Sequence, residues 1–215
     1  MGVIGENLPL YLQGFGTTLY LLLITTVFAL PLGVLIAAMR ISPIASLRTT
    51  AAVYTELLRN TPLTLVFFFE AFVLPKLGTR LDFEVGAIVA LTLYTAPFFA
   101  EAIRSGINSV PVGQAEAARS IGLGFTQTVT LVVLPQAIRS VIPPLVNVII
   151  ALTKNTSVAS GFFVFTLVSA GQRLASANGD QVIAVLIGVA IFYVIITIPL
   201  GRFADWFEKR VAVTR

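Results

Sequence analysis

The sequence predicts an all-α integral membrane protein with about five transmembrane helices, in one domain that covers residues 1–215. Two observations carry this prediction. The residues are 57% hydrophobic and only 11% charged, whereas a soluble domain carries about 25% charged residues. The apolar residues also form long runs, and each span of a bilayer needs roughly 20 of them. Lipid is therefore the expected solvent for most of the surface.

Composition also excludes several function classes. The chain has no cysteine and no histidine, which excludes disulfides and thiolate metal sites and removes the commonest general base and metal ligand. The net charge is +4, but Lys and Arg punctuate apolar runs instead of clustering with exposed aromatic residues as in a nucleic-acid binder. No set of nucleophile, base and orienting group is visible. We expect no enzyme, no metal site and no nucleic-acid partner.

The spans follow from the gaps between charges. No charge occurs between Glu6 and Arg40, which predicts a first span that bends at Pro31, as spans tolerate when neighbouring groups satisfy the freed carbonyl. The second span is unusually polar. The predicted spans cover residues 17–39, 53–74, 85–104, 141–170 and 182–203.

The fourth span is the hardest to assign. Apolar runs at 141–152 and 158–170 flank the polar tetrad Lys154–Ser157, which is consistent with one interrupted span or with two crossings. The helix from Arg139 to Lys154 would be about 22 Å long, too short for a hydrocarbon core of about 30 Å. This favours one interrupted span with the tetrad at depth.

The positive-inside rule sets the expected orientation. Five spans put the termini on opposite sides, and an outside N-terminus places ten of the 14 Lys and Arg in or near the cytoplasm, three outside and Lys154 within the bilayer. We therefore expect a cytoplasmic C-terminus. The ten are Arg40, Arg48, Arg59, Arg104, Arg119, Arg139, Arg202, Lys209, Arg210 and Arg215, and the three are Lys76, Arg80 and Arg173.

The longest cytoplasmic stretch, 104–139, predicts a short helix over residues 111–124, outside the membrane. Pro111 suits a first helical turn, alanines favour the helix, and Gly122 and Gly124 suit its end. Its small residues would let another protein approach closely. The spacing is equally consistent with a connector that lies on the bilayer.

A longer motif distinguishes these two possibilities. Glu116-Ala117-Ala118, followed by Gly122 and then by Val132, Leu134 and Pro135, resembles the EAA loop of permease subunits of ATP-binding-cassette (ABC) importers, departing only by a conservative Val at the aliphatic position. Other segments resemble the polar amino acid subfamily, so that the similarity covers nearly the whole chain. They are Gly14–Thr18, Glu56–Leu63, Ala100–Gly106, Leu134–Ala137 and Lys154–Ser157.

This resemblance implies the type I importer fold in a bacterial cytoplasmic membrane. It implies a second permease subunit, identical or homologous, two cassette ATPases that hold ATP and Mg, and an external solute-binding protein. The chain has no G-x-x-x-x-G-K-[ST] loop, so it cannot cradle the nucleotide phosphates itself. The resemblance implies that the loop helix couples to the ATPase through Glu116, Ala117, Ala118, Gly122, Leu134 and Pro135.

Ionisable residues inside a bilayer are costly and usually functional, and the candidates are Glu70, Glu101 and Lys154. Lys154 would attract a carboxylate, and a helix break at the tetrad would free backbone groups for a midplane site. The alternative is an internal network in which Glu101 pairs with Arg104 and Glu70 lies near the outer interface. The predicted substrate-binding residues are Lys154, Asn155, Thr156, Ser157, Thr61, Tyr94, Thr95 and Glu101.

The residue after Lys154 bears on the substrate. Members of the resembled family that carry basic amino acids often have an acidic residue there, whereas this chain has Asn155. The resemblance therefore favours glutamate, aspartate or their amides. The rival functions are an ion-coupled secondary transporter, which would show internal repeats, and a structural membrane subunit, which would not need a bounded Glu-Ala-Ala helix.

Overall fold

The computed structural model describes residues 2–211, and Arg215, which the charge count assigns to the cytoplasm, lies outside them. Within the described residues every regular element is helical. The helix Leu63–Phe68 continues through a π-helical segment, Phe69–Val73, and a 3₁₀ segment, Leu74–Leu77. The helices are α1 Gly2–Glu6, α2 Leu8–Ile41, α3 Ala45–Arg59, α4 Leu63–Phe68, α5 Phe83–Asn108, α6 Val112–Ser120, α7 Phe125–Gln127, α8 Leu134–Asn155, α9 Leu167–Ala177 and α10 Val182–Val211.

Four helical stretches in the described part are long and apolar enough to cross a membrane. They are Leu8–Ile41, Phe83–Asn108, Phe125–Phe162 and Val182–Arg210, and the bent pair formed by α3 and Leu63–Leu77 would be a fifth span. The predicted all-α membrane fold with about five spans is therefore confirmed. α2, α5 and α10 contain the first, third and fifth predicted spans.

The second span is not one rod over 53–74. It consists of α3 and the segment Leu63–Leu77, which meet at 99°. The bend follows from Pro62, which has no N–H to donate and disfavours helical geometry at the preceding residue. The side chains of Asn60 and Thr61 donate to the carbonyls of Glu56 and Leu57, at 2.8 and 2.7 Å, and so satisfy the end of α3.

The predicted interruption of 141–170 also lies elsewhere. Helical structure continues from Phe125 to Phe162 through the tetrad, where it tightens from α8 into a 3₁₀ segment, Thr156–Phe162. The hydroxyl of Thr156 donates to a carbonyl of the preceding turn at 2.7 Å, which supports this tightening. The chain leaves the helix at Phe163, whose φ of 65° is left-handed, and the separate helix α9 follows.

The crossing of α2 and α5 forms the centre of the bundle, and a glycine makes it possible. A Cβ at Gly33 would lie 2.6 Å from Phe99 Cβ and 3.0 Å from the Ala96 carbonyl oxygen. Small residues allow this kind of close approach between membrane helices. Buried Phe99, Ala96 and Ile36 pack around the crossing, and this packing sets the orientation of α5 and of the side chains that it turns toward α8.

The outer surface of the bundle is apolar. On α10, Ile183 is 76% exposed, and Leu186 and Ile195 are more than half exposed. Exposed apolar area on this scale is unusual for a soluble monomer and is typical of a surface that faces lipid.

Candidate functional site

A cleft of about 410 Å³ opens between α5 and α8; we call it the α5–α8 cleft. Residues three to four apart lie on one face of a helix, which explains why one stripe of each helix forms a wall. Its lining residues are Tyr94, Thr95 and Phe98 from α5, and Asn147, Val148, Ala151, Leu152 and Asn155 from α8.

The lining of the α5–α8 cleft is mainly apolar, with the uncharged polar side chains of Tyr94, Thr95, Asn147 and Asn155 set among apolar ones. The rings of Tyr94 and Phe98 lie 5.3 Å apart and form an aromatic wall. The hydroxyl of Thr95 is buried and has no hydrogen-bond partner among the described residues. The amides of Asn147 and Asn155 add donors and acceptors. The volume falls within the range of about 300–1,000 Å³ that is usual for small-molecule pockets, so the cleft suits a small polar molecule.

The structure brings three of the predicted substrate residues together, because Tyr94, Thr95 and Asn155 all line this cleft. Lys154 precedes Asn155 but is exposed and is not part of the lining. Lys154 follows Asn147 by seven residues, about two turns of α8, so it lies at the edge of the lining stripe with its side chain exposed.

The other predicted polar residues use their groups locally. The Thr156 hydroxyl donates to the Thr153 carbonyl at 2.7 Å, and the Thr61 hydroxyl caps the end of α3. Ser157 is half-buried, and its carbonyl accepts the Ser160 hydroxyl at 2.7 Å. None of these three residues lines the α5–α8 cleft.

Sequence reasoning missed Phe98 and Asn147. A signal for Asn147 was present, since it is a polar residue within the apolar run 141–152 and precedes Asn155 by two steps of four residues. Such spacing places both amides on one helical stripe. For Phe98 the sequence contained no comparable signal, because an aromatic residue in a span usually faces lipid or the core.

Glu101 lies in an arginine cluster, which we define as Glu101 with Arg40, Arg59 and Arg104. The shortest contact is from Arg104 Nη2 to Glu101 Oε2 at 2.7 Å, while Arg40 and Arg59 approach the carboxylate at 3.4 and 3.8 Å. The cluster thus joins the ends of α2 and α3 to α5. The Glu101–Arg104 pair that the sequence left open as an alternative is present.

The arginine cluster adjoins the α5–α8 cleft through one ring. The guanidinium of Arg59 lies 5.6 Å from the centroid of Phe98, which lines the cleft. The Tyr54 hydroxyl donates to the Leu93 carbonyl at 2.8 Å, so α3 is fastened to α5 close to the same place. The cleft therefore has an aromatic side that borders positive charge.

Glu70, the remaining ionisable candidate, packs against Gly86 near the start of α5. A side chain at Gly86 would occupy the volume of the Glu70 carboxylate. Glu70 does not line the α5–α8 cleft, so the structure places it apart from the residues gathered there.

The loop helix is α6, Val112–Ser120, which is shorter than the predicted 111–124. It ends because Gly122 takes a left-handed φ of 92°. The Leu123 and Gly122 amides donate to the carbonyls of Ala118 and Arg119, at 3.2 and 3.0 Å, which is the Schellman pattern of a helix end.

Two of the three EAA residues, Glu116 and Ala117, face outward. Glu116 and Ala117 are exposed, whereas Ala118 is 5% exposed and faces the protein. Leu134 and Pro135 begin α8 and are both exposed.

Large apolar side chains on and near α6 are exposed as well. The exposed fractions of Val112, Ile121 and Phe125 are 71%, 79% and 78%. Exposed apolar surface beside a loop helix is typical of an interaction site.

Residues 29–213 match the family described as the binding-protein-dependent transport system inner membrane component. The chain belongs to this family. It is 41% identical over 211 residues to the probable glutamine ABC transporter permease protein GlnM of Bacillus subtilis, covering 98% of this chain and 97% of that protein. It is 38% identical to the glutamate transport system permease protein GluC of Corynebacterium glutamicum, with 96% of each chain covered.

The fold of this permease also matches a solved structure. The crystal structure of an amino acid ABC transporter with histidines superimposes with a TM-score of 0.89 at 28% identity, over 96% of both chains. The protein is accordingly a multi-pass inner-membrane permease subunit of an amino acid ABC importer, with the type I fold. It is not catalytic, because ATP hydrolysis resides in separate ATPase subunits. The secondary-transporter and structural-subunit alternatives are thereby excluded.

Proposed function

We propose that this permease forms the pathway for glutamate, aspartate or their amides, and that the α5–α8 cleft holds the amino acid midway. The observation that carries the proposal is the convergence of Tyr94, Thr95, Asn147 and Asn155 on one cleft, with a buried Thr95 hydroxyl that has no partner among the described residues. A bound polar ligand would satisfy that hydroxyl, whose burial otherwise costs free energy.

The chemistry of the lining favours this substrate class. Amide side chains both donate and accept hydrogen bonds, so Asn147 and Asn155 suit the ammonium and carboxylate of an amino acid. Among the described residues no carboxylate lines the cleft, so the cationic side chain of a basic amino acid would lack a counter-charge. The names of GlnM and GluC, which refer to glutamine and glutamate, support the same class.

The arrangement also supports a path for ATP-driven force. We propose that α6 docks in a groove on the ATPase through Glu116, Ala117 and the exposed Val112, Ile121 and Phe125. Closure of two ATPases would draw together the α6 helices of this chain and of a second, identical or homologous permease. The spans would then rock between outward-open and inward-open states.

The proposal also includes the orientation of the permease in the membrane and the delivery of the amino acid to it. The charge bias supports an outside N-terminus and a cytoplasmic α6. An external solute-binding protein would then deliver the amino acid from the side of α9 and the α4–α5 connection.

The substitution Asn155→Ala tests the cleft. We expect uptake of radiolabelled glutamine or glutamate by the complete transporter in proteoliposomes to fall tenfold or more, because a hydrogen bond to a charged ligand contributes roughly 1.5–3 kcal/mol. The control is Asn108→Ala, since Asn108 is exposed at the end of α5, away from the lining. Equal uptake by the Asn155 and Asn108 variants would contradict the proposal.

A further inference from the structure

The arginine cluster contains more positive than negative charge. Three guanidinium groups surround one carboxylate, and all the hydrogen bonds of Glu101 within the described residues go to Arg104, at 2.7 and 3.2 Å. Arg40 and Arg59 contribute contacts at 3.4 and 3.8 Å. One carboxylate cannot accept hydrogen bonds from all the N–H groups of three guanidinium groups, because each guanidinium has five donors.

Arg59 is the arginine held least firmly. Its side chain is 44% exposed, compared with 19% for Arg40 and 35% for Arg104, and its distance to Glu101 is the longest of the three. Within the described part of the chain its guanidinium makes only the ion pair at 3.8 Å and the contact with the face of Phe98. Arg59 is therefore free to turn toward another anion.

The position of the Arg59 guanidinium next to the α5–α8 cleft relates its charge to transport. Phe98 lines the cleft, and the Arg59 guanidinium lies 5.6 Å from the centroid of its ring. Along α5, Glu101 lies about 10 Å beyond Tyr94 in the direction of Asn108, given a rise of about 1.5 Å per residue. A molecule that leaves the cleft toward that end of α5 passes Phe98 and then meets Arg59.

We infer that Arg59 receives the carboxylate of the transported amino acid as it leaves the α5–α8 cleft, and that Glu101 holds the guanidinium when no substrate is present. The inference rests on the proposed function of the cleft. Arginine matches a carboxylate with two parallel hydrogen bonds. When the substrate carboxylate replaces that of Glu101, Arg59 stays in an ion pair throughout. No unpaired charge is then left in a partly buried site.

Equilibrium binding tests this role. The transporter complex, in nanodiscs of phosphatidylcholine, is titrated with radiolabelled L-glutamine and with its α-carboxamide, which lacks the carboxylate. We expect Arg59→Gln to weaken glutamine binding about tenfold and to leave the binding of the α-carboxamide unchanged. Arg59→Lys should lie between the two. The control Arg48→Gln removes an exposed α3 arginine that bonds to the Ser42 and Pro43 carbonyls, and it should change neither affinity.

Glu101→Gln provides a test of opposite sign. If Glu101 competes with the substrate for Arg59, neutralising it should tighten glutamine binding about threefold and leave the α-carboxamide unaffected. A purely structural cluster predicts that this substitution weakens both ligands, and that result would overturn the inference.

The remaining outcomes are also decisive. Equal weakening of both ligands by Arg59→Gln would assign Arg59 a structural role. Glutamine binding that depends on Tyr94 but not on Arg59 would overturn this inference and leave the cleft standing. Binding that depends on neither residue would overturn the proposed cleft as well. An Arg59 effect that appears only when the discs contain phosphatidylglycerol would assign the guanidinium to a lipid phosphate, against the inference.

Discussion

The loop helix α6 takes its shape from residues that are neighbours in the chain, whereas the α5–α8 cleft takes its shape from residues that are far apart. The end of α6 is defined by Ala118, Arg119, Gly122 and Leu123 through two backbone hydrogen bonds. The cleft, in contrast, exists only when the stripe of Tyr94 and Phe98 meets the stripe of Asn147 and Asn155.

This contrast has a consequence for mutations. A change at the exit of α6 should impair force transfer and leave substrate binding intact, because the cleft does not depend on that turn. A change where α2 crosses α5 should remove both, since the crossing holds α5 in place for α8.

The largest effect is expected from Gly33→Leu. The new side chain would meet Phe99 Cβ and the Ala96 carbonyl at the crossing, and overpacking of this kind costs typically 1–3 kcal/mol or more. We expect the yield of monodisperse protein, measured by fluorescence-detected size exclusion, to fall more than tenfold.

Gly16→Leu is the matched control for that substitution. Gly16 lies on the same helix, and nothing lies within 4 Å of a Cβ built there. If the Gly33 and Gly16 variants gave the same yield and the same glutamine binding, the α2–α5 crossing would not be what positions the cleft.

A smaller and more selective effect is expected from Gly122→Ala. An alanine held in left-handed geometry costs roughly 1–2 kcal/mol, so the exit turn of α6 should loosen. We expect glutamine uptake and substrate-stimulated ATP hydrolysis to fall five- to tenfold, with glutamine binding unchanged.

Gly124→Ala controls for the loss of a loop glycine. Gly124 has a φ of −67°, which alanine adopts without strain, so uptake should remain normal. Parallel losses of binding and uptake in the Gly122 variant would show that the exit turn and the cleft are not independent.

The smallest effect is expected from Lys154→Ala. Lys154 is exposed beside the cleft and is not part of its lining, so it would act on a substrate in the cleft only through its charge. We expect uptake of glutamate to fall about threefold, because exposed charge interactions contribute roughly 0.2–1 kcal/mol. The difference should shrink in high salt, and Lys76→Ala should have no effect. A loss as large as that of Asn155→Ala would show that Lys154 contacts the substrate directly.

The two helix breaks show where sequence reasoning failed. Pro62 was a visible signal for the bend between α3 and α4, but the hydropathy of 53–74 as a whole concealed it. The tetrad Lys154–Ser157 looked like a break because it is polar. The structure keeps it helical, because the Thr153 and Thr156 hydroxyls bond to carbonyls of their own turn.

Composition and charge spacing were enough to establish an all-α membrane protein, its long apolar helices and the short loop helix with a glycine exit. These features depend on the hydropathy of contiguous residues and on local backbone geometry. Both can be inferred from residues that are close together in the sequence. Tyr94, Thr95 and Asn155 were also identified as polar positions within spans, although their convergence was not.

Only the packed bundle decided which of these polar groups meet. Contact across α5 and α8, and the approach of three arginines from three helices to Glu101, depend on helix rotation and crossing. Those are set by small residues such as Gly33, where backbones touch. When a helix is apolar on every side, its sequence does not indicate which face turns toward the other helices. The position of the site could therefore be found only from the tertiary structure.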